Sequence, residues 1–570
     1  MYYKSNHLVF RIILTGFTLN RLFLASLIII TLNCCKERKS FNQNTVKVLP
    51  VISTPIVSEK CDIIIYGTNE HGYTRPAIRH GYFSDTISYT ESVNIEESFD
   101  ISPSSISCDC ELMSLTGTDP KTETTYTFLY NIKTKHLVNI TREYKKEFLL
   151  PQFSPVSTKM AYIDSNKLQI INYKGFKNIN INNPKNVKFT KALWSKKDKY
   201  IYMEDDSTNI WRYNTIHETF NRIWKAPNKF SLSRMITMSE NIEDVFYFIS
   251  DHESDFTTIY RYGKDNKISA VAPTGYDSYL LQTAERNDTL YYKSNENGIY
   301  FLKQYVNGKT TNVFHQTDGE VVKYFNTRKG TIYHYADHNH PHSLYIRKSG
   351  DFINLIQGLV DSMPTPQIVY NKYGMINLVY FPKNTPKGWI LLIHGGPLDQ
   401  MIRTYDLHLS NFLRAGFGVI ALNYPGSSGI GNSYEMRDEK NLIEMEVSSI
   451  SEDLTQIRAK YPIINKVAVI GVSYGSILSR LYSLEHGNEI THLIEFSGLG
   501  DQSANDSIPI LYIYGKNDFA LDSTRLKMIQ KDISKGNGKV FEIENEGHSI
   551  RNLKSREAIL QQIIDFISDN

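Results

Sequence analysis

The final third of the chain alternates short apolar runs with helix-like stretches, and three of these runs end in a small polar motif. Gly471-Val472-Ser473-Tyr474-Gly475 follows the run 467–470, Gly515-Lys516-Asn517-Asp518 follows 510–514, and Glu546-Gly547-His548 follows 540–543. Strand–helix alternation predicts a mostly parallel sheet that is covered by helices on both faces. Since the carboxyl ends of parallel strands lie along one edge of such a sheet, the motifs are expected to meet there.

The residue types of these motifs, in the order Ser, Asp, His, are those of nucleophilic acyl transfer. A serine hydroxyl is a poor nucleophile until a base removes its proton, and a third group must orient that base. We expect Ser473 to be the nucleophile, His548 the base and Asp518 the orienting carboxylate. Asp522 is a rival to Asp518, but it does not lie directly after a strand. The order and context predict an α/β-hydrolase domain with a mostly parallel, doubly wound sheet.

Backbone N–H groups near the nucleophile predict an oxyanion hole. Glycines on both sides of Ser473 allow a tight turn from a strand into a helix. The N–H of Tyr474 would then lie at a helix N-terminus and face the negative oxygen that forms during the reaction. His394-Gly395-Gly396-Pro397 follows another apolar run, and the N–H of Gly396 is the second expected donor.

Before residue 366 a different unit repeats. A short aromatic-rich strand returns at intervals of roughly 40 to 50 residues, and a turn and a second strand follow most copies. This period is typical of the four-stranded blades of a β-propeller, and seven copies predict about seven blades, with six or eight as alternatives. A pair of β-sandwiches would explain the strands but not their spacing. The repeated strands begin near residues 61, 108, 159, 200, 245, 289 and 331.

The N-terminus has the pattern of an export signal. Basic residues precede the apolar stretch 22–32, which is short for a transmembrane helix and typical of a signal peptide. Cys34 and Cys35 follow at once, as in bacterial lipoprotein signals, so one of them is predicted to carry lipid. An uncleaved signal anchor is the alternative, and both predict an exported body in the cell envelope. The predicted parts are signal 1–35, linker 36–60, propeller 61–366 and hydrolase domain 367–570.

The net charge and the cysteine content limit which partners and which cross-links the sequence predicts. The formal net charge is +3 over 570 residues, which gives no reason to expect nucleic acid as a partner. Of the cysteines beyond the signal, Cys61 could form one disulfide, or Cys61, Cys108 and Cys110 could be buried thiols. The expected chemistry needs no metal and no organic cofactor. The sequence does not indicate an oligomeric state.

The C-terminal part of the chain resembles the prolyl oligopeptidase family of serine peptidases, in particular its dipeptidyl-aminopeptidase and acylaminoacyl-peptidase branches. A propeller before a hydrolase domain is that family's arrangement. The resemblance implies a Ser473–Asp518–His548 triad, an oxyanion hole from Gly396 and Tyr474, and short peptide substrates that enter between the domains. The motifs that carry it are 394–397, 423–431, 471–475, 515–518 and 547–548.

The leading interpretation is therefore an exported serine peptidase that hydrolyses short peptides through an acyl-enzyme. An esterase or amidase that acts on small acyl compounds is the first alternative, because the segment between Gly475 and Asp518 is shorter than is usual in the family. The second alternative is an inactive protein whose propeller binds a ligand.

Overall fold

The computed structural model places two domains in the order that the sequence patterns predict. It describes residue 46 and residues 49–568, apart from 51, 71, 85–87, 96–98, 226–233, 239–244, 272–274, 284–288, 317, 357–360, 436–439, 462–466 and 500–503. The predicted signal 1–35, with Cys34 and Cys35, lies outside the described residues. In the part of the chain that is described, no helix is both long and apolar enough to span a membrane.

The N-terminal domain is a β-propeller in which each blade is built from four consecutive antiparallel strands. Blades one to four contain β1 (Ile52–Ser58), β2 (Ile63–Thr68), β3 (Arg75–His80), β4 (Tyr89–Ser92), β5 (Asp100–Ile106), β6 (Leu112–Thr118), β7 (Thr125–Asn131), β8 (Leu137–Asn139), β9 (Leu149–Phe153), β10 (Lys159–Asp164), β11 (Lys167–Asn172), β12 (Lys177–Ile179), β13 (Phe189–Trp194), β14 (Tyr200–Asp205), β15 (Ile210–Asn214) and β16 (Thr219–Trp224). A short helix, α1 (Ile140–Tyr144), follows β8.

The described residues complete seven blades, which agrees with the number of repeats. Blades five to seven contain β17 (Arg234–Met238), β18 (Phe246–Ser250), β19 (Thr258–Tyr262), β20 (Ile268–Val271), β21 (Ser278–Thr283), β22 (Leu290–Glu296), β23 (Ile299–Val306), β24 (Lys309–Asn312), β25 (Glu320–Thr327), β26 (Gly330–Asp337), β27 (His340–Lys348) and β28 (Asp351–Asn354). Side chains close the ring between blades seven and one, where Lys323 donates to the Pro55 carbonyl at 3.2 Å.

The first blade begins earlier than the predicted boundary at residue 61. Strand β1 lies inside the segment 36–60, which the sequence pattern assigns to a linker. Its alternation is interrupted by Pro55 and by a change of register between Ser53 and Ile56. The repeated aromatic strands near residues 61, 108 and 159 are the second strands of their blades, β2, β6 and β10, so each blade begins one strand before the repeat that marks it.

The C-terminal domain has the predicted α/β-hydrolase architecture. Its sheet contains β29 (Gln367–Tyr370), β30 (Ile376–Tyr380), β31 (Gly388–Ile393), β32 (Phe417–Leu422), β33 (Val467–Val472), β34 (Ile490–Phe496), β35 (Ile510–Gly515) and β36 (Gly538–Ile543). Its helices are α2 (Leu407–Arg414), α3 (Asn432–Glu435), α4 (Leu442–Lys460), α5 (Gly475–His486), α6 (Ser523–Ser534) and α7 (Leu553–Ser568), with a 3-10 turn at Gly487–Glu489.

The hydrolase sheet separates two hydrophobic layers. The strand order is β29-β30-β32-β31-β33-β34-β35-β36, and pairing is parallel from β32 to β36. Helices α2 and α7 cover one face, and α4, α5 and α6 cover the other. Central strands such as β32 are buried along their whole length, which explains their continuous apolar sequence. This packing aligns the ends of β33 and β35 at one edge.

Loops between the second and third strands of several blades contact the hydrolase domain. The Leu553 N–H donates to the Gly72 carbonyl in blade one at 3.1 Å, and the Asn432 N–H donates to the Asp255 carbonyl in blade five at 2.8 Å. Around blade six, the Arg403 N–H donates to the Gly298 carbonyl at 2.9 Å. The propeller is therefore attached to the hydrolase domain along its rim, on the side that faces the carboxyl ends of the hydrolase strands.

A disulfide joins blades one and two. Cys61 lies in the turn after β1 and bonds to Cys110 in the turn after β5. Cys108 remains a free thiol. The sequence leaves open whether Cys61 forms a disulfide or is a buried thiol, and the structure contains the disulfide.

Candidate active site

Ser473 lies at the sharp turn that joins β33 to α5. Its φ of 49° places it in the left-handed region, which non-glycine residues seldom adopt outside functional turns. The neighbouring glycines are sterically required: a Cβ on Gly471 would lie 2.4 Å from the Ser479 Oγ, and one on Gly475 would lie 2.4 Å from the Ile393 carbonyl oxygen. This close packing holds the hydroxyl above the end of the sheet.

The three residues that the motifs predict are brought together in one hydrogen-bonded chain. The Ser473 Oγ lies 3.0 Å from the His548 Nε2. The His548 Nδ1 lies 2.8 Å from the Asp518 Oδ1. With Nδ1–H donating to the carboxylate, Nε2 carries the lone pair that accepts the serine proton. The arrangement can therefore activate the hydroxyl as a nucleophile.

Asp518 and its rival Asp522 have different structural environments. Asp518 is buried, and its Oδ1 also accepts a hydrogen bond from the Ala520 N–H at 2.9 Å. Asp522 caps the N-terminus of α6, where its Oδ1 accepts from the N–H groups of Thr524 and Arg525 at 2.9 and 2.8 Å. The structure brings Asp518, and not Asp522, to the imidazole.

Contacts from both domains hold the loop that carries His548. The Ser497 Oγ donates to the His548 carbonyl at 2.8 Å. The Ser549 N–H donates to the Glu123 Oε1 of the propeller at 2.9 Å. The ring of Phe519 packs at 4.6 Å from the imidazole and is 68% exposed, so it forms an apolar rim beside the base.

Gly396 and Tyr474, the predicted oxyanion donors, flank Ser473 from two different loops. Tyr474 precedes α5, and the first N–H groups of a helix have no partner within the helix. Gly396 has a φ of +128°, and a Cβ there would lie 2.8 Å from the Leu398 nitrogen. The chain next to Gly396 is also close to the nucleophile, since a Cβ on Gly395 would lie 3.3 Å from the Ser473 Cβ.

Buried side chains fix the loop that contains Gly396. The His394 Nε2 lies 2.9 Å from the Ser427 Oγ, and the Tyr424 hydroxyl donates to the His394 carbonyl at 2.8 Å. The two rings stack with centroids 4.4 Å apart. Burial lowers the pKa of His394 below its ordinary value, which favours the neutral imidazole that this stacked position accommodates.

Ser497, Glu123 and the buried Glu446 beside Tyr474 are site residues that the sequence motifs do not reveal. Ser497 and Glu123 contact the His548 loop but lie far from it in the sequence, so no local motif predicts their role. In the described part of the chain, no group of three or more His, Cys, Asp or Glu side chains could hold a metal ion.

Comparison with known proteins supports the fold seen here. A family model described as the alpha/beta hydrolase fold matches residues 388–499. The acylamino-acid-releasing enzyme of Sus scrofa is 25% identical over 124 residues, which are 20% of this chain and 17% of that enzyme. The chain thus aligns with less than a fifth of the length of that curated relative.

Two solved structures extend the likeness to both domains. The acylaminoacyl peptidase of Pyrococcus horikoshii has a TM-score of 0.66 and 13% identity, with 91% of this chain and 96% of that chain covered. A puromycin-hydrolyzing peptidase of Mycobacterium tuberculosis has a TM-score of 0.72 and 13% identity, with 91% and 94% covered. At this identity the likeness establishes the fold. These comparisons agree with the resemblance that the sequence motifs indicate, and the chain has the fold of a β-propeller followed by an α/β-hydrolase domain.

Proposed function

We propose that this protein is a serine peptidase that hydrolyses short peptides through an acyl-enzyme. The observation that carries the proposal is the continuous hydrogen-bonded chain from the Ser473 Oγ through His548 to Asp518. Relatives described as peptidases and acylamino-acid-releasing enzymes support a peptide substrate.

In the proposed reaction, the serine proton moves between Ser473, His548 and the leaving group. Ser473 Oγ attacks the scissile carbonyl carbon while its proton passes to the His548 Nε2, and the carbonyl oxygen becomes the oxyanion. The N–H groups of Gly396 and Tyr474 stabilise that charge. When the tetrahedral intermediate collapses, the C–N bond breaks and His548 returns the proton to the leaving amine. Water then repeats the sequence on the acyl-enzyme and releases the acid, and the proton returns to Ser473.

The propeller limits the size of the substrate. It is attached to the hydrolase domain on the side of the catalytic edge, through contacts such as those of Gly72 and Asp255. A folded protein would have to displace these contacts to reach Ser473, whereas a short or unfolded peptide would not. This arrangement supports short peptides as the substrate class.

A panel of chromogenic substrates tests the proposal. Aminoacyl, dipeptidyl and N-acyl-aminoacyl amides are compared with simple esters of the same acyl groups, using the wild-type protein and Ser473→Ala. We expect amide hydrolysis that requires Ser473. Hydrolysis of esters with no turnover of any amide would overturn the peptidase proposal and support the esterase alternative, which the short segment between Gly475 and Asp518 favours.

We also propose that the protein is exported and anchored by lipid at Cys34 or Cys35. The Cys61–Cys110 disulfide supports export, because disulfides persist in oxidising compartments. Metabolic labelling with a fatty-acid analogue is the test, with Cys34→Ser, Cys35→Ser and the double variant compared. Labelling that survives the double variant would contradict the proposed anchor.

A further inference from the structure

A buried carboxyl group lies directly behind the nucleophile turn. Glu446 projects from α4, its side chain is fully buried, and its Oε2 accepts a hydrogen bond from the Tyr474 hydroxyl at 2.6 Å. Tyr474 is the residue whose N–H is the expected oxyanion donor. Glu446 therefore contacts the far end of the side chain whose own backbone forms part of the active site.

The other oxygen of Glu446 reaches the second wall of the same site. A Cβ on Gly426 would lie 2.8 Å from the Glu446 Oε1 and 3.2 Å from the Pro397 Cβ. Gly426 has a φ of +95°, so the turn that contains it passes close to both residues without a side chain of its own. Pro397 directly follows Gly396, the other expected donor. One carboxyl group thus lies where three loops meet.

The turn around Gly426 is itself bonded to the Gly396 loop. Its neighbours Tyr424 and Ser427 hold His394, by the carbonyl contact at 2.8 Å and the ring-nitrogen contact at 2.9 Å. Hydrogen bonds and tight packing therefore form a continuous path from Tyr474 through Glu446 and the Gly426 turn to Gly396. The two N–H donors lie in loops that follow different strands, β31 and β33, and this path connects the two loops physically.

The surroundings of Glu446 favour its neutral form. Burial raises its pKa to about 8, and the Tyr474 hydroxyl opposes that rise by stabilising the charge. Among the residues that the structure describes, Tyr424, Tyr434 and Tyr474 are the titratable groups coupled to its charge, and none of these three is basic. A neutral carboxyl that accepts one hydrogen bond resembles a glutamine in shape and bonding capacity.

We propose that Glu446 is a positioning residue for the oxyanion hole, which holds the Tyr474 N–H in line with the Gly396 N–H through the Tyr474 hydroxyl and the packed Gly426 turn. The inference rests on the proposed function of these two N–H groups. On this proposal Glu446→Gln is a conservative change. Glu446→Leu is disruptive, because leucine cannot accept the hydrogen bond from the Tyr474 hydroxyl and leaves that hydroxyl buried without a partner.

A fluorophosphonate probe tests this without knowledge of the natural substrate. Ser473 Oγ bonds to phosphorus while its proton passes to the His548 Nε2, the P–F bond breaks and fluoride leaves, and the phosphoryl oxygen takes the position of the oxyanion. For Glu446→Leu and for Tyr474→Phe we expect the second-order labelling rate to fall by about 10- to 100-fold, less than the ~100- to 1000-fold that loss of a whole donor costs. Glu446→Gln should stay within about threefold of the wild type, as an isosteric acceptor should.

Two comparisons separate positioning from general damage to the fold. Glu452→Gln changes a half-exposed carboxylate on the same helix, paired with Lys372 at 2.7 Å, and should leave the rate unchanged. In an amide assay, Glu446→Leu should lower kcat with little change in KM, since the effect arises in the transition state. Adding Tyr474→Phe to Glu446→Leu should cost little more than either change alone.

The outcomes are distinguishable. An unlabelled but folded wild-type protein would remove the proposed function itself. A labelled wild type together with a folded Glu446→Leu variant that reacts equally fast would overturn only the positioning role. Equal losses in Glu446→Gln and Glu446→Leu would also overturn it, because a neutral hydrogen-bond acceptor would then not be what the site requires.

Discussion

Glu123 of the propeller accepts a hydrogen bond, at 2.9 Å, from the backbone N–H of Ser549, the residue that follows the candidate base His548. Gly547, on the other side of His548, has no room for a side chain, since a Cβ there would lie 2.9 Å from the Glu123 Oε1 and 3.0 Å from the Pro120 carbonyl oxygen. The loop that presents the imidazole is thus clamped by a turn of the other domain.

Removing this contact should lower activity without removing any catalytic group. We expect Glu123→Ala to reduce kcat by about 3- to 30-fold, because small displacements of a base weaken proton transfer. Glu123→Gln keeps an acceptor oxygen and should lie closer to the wild type. Lys121→Ala, an exposed change in the same turn, is the matched control. Steady-state kinetics on an amide substrate measures the effect, and a Glu123→Ala enzyme as active as the control would contradict it.

The two aspartates near α6 should separate catalysis from stability. Asp518→Asn should lower kcat by roughly 10⁴-fold, because the amide favours the wrong imidazole tautomer while preserving shape. Asp522→Ala removes the N-cap of α6 and should cost about 1 kcal/mol of unfolding free energy with activity nearly unchanged. Parallel kinetics and urea unfolding test both. A larger catalytic loss in Asp522→Ala than in Asp518→Asn would reverse the assignment.

The pKa of Glu446 predicts a pH-dependent stability. Its value rises from 4.5 to about 8 on folding, so the native state binds more protons than the unfolded state between these limits. The unfolding free energy should therefore decrease as pH rises from about 4.5 to about 8. Glu446→Gln removes this titration and should show a shallower decrease in denaturant melts across that range. A variant with the same slope as the wild type would show that Glu446 titrates normally.

The disulfide should stabilise the N-terminal side of the propeller. Cys61 and Cys110 are 49 residues apart, and closing a loop of that length is worth about 2–4 kcal/mol, chiefly by restricting the unfolded chain. Cys61→Ser with Cys110→Ser should lower the unfolding free energy by that amount, whereas Cys108→Ser should not. Chemical denaturation measures the difference, and equal stability of all variants would contradict the expectation.

The strand-end motifs could be found from sequence because each is local. The apolar run 467–470 and the glycines around Ser473 predict a strand, a turn and a helix from neighbouring residues alone. The repeated aromatic strands likewise predict the seven blades, but each is the second strand of its blade, so β1 lies before the boundary that the sequence predicts.

Contacts between residues far apart in the sequence could not be predicted from local motifs. The bond between Glu123 and the Ser549 N–H joins two domains, and the sequence around Glu123 is that of an ordinary exposed turn. Glu446 has the residue type of a solvated helix face, yet the fold buries it behind Tyr474. The pairing of Cys61 with Cys110 depends on how two blades pack. Each of these follows from tertiary structure and has no short-range signal.

The proposed function depends on attack by Ser473 on a peptide bond, with His548 as the base. The most direct measurement is the rate at which the purified protein hydrolyses a peptide p-nitroanilide, compared with Ser473→Ala and with the neighbouring Ser476→Ala as control. We expect a loss of about 10³-fold or more in Ser473→Ala and a far smaller change in Ser476→Ala. A Ser473→Ala variant that hydrolyses the anilide at the wild-type rate would show that Ser473 is not the nucleophile.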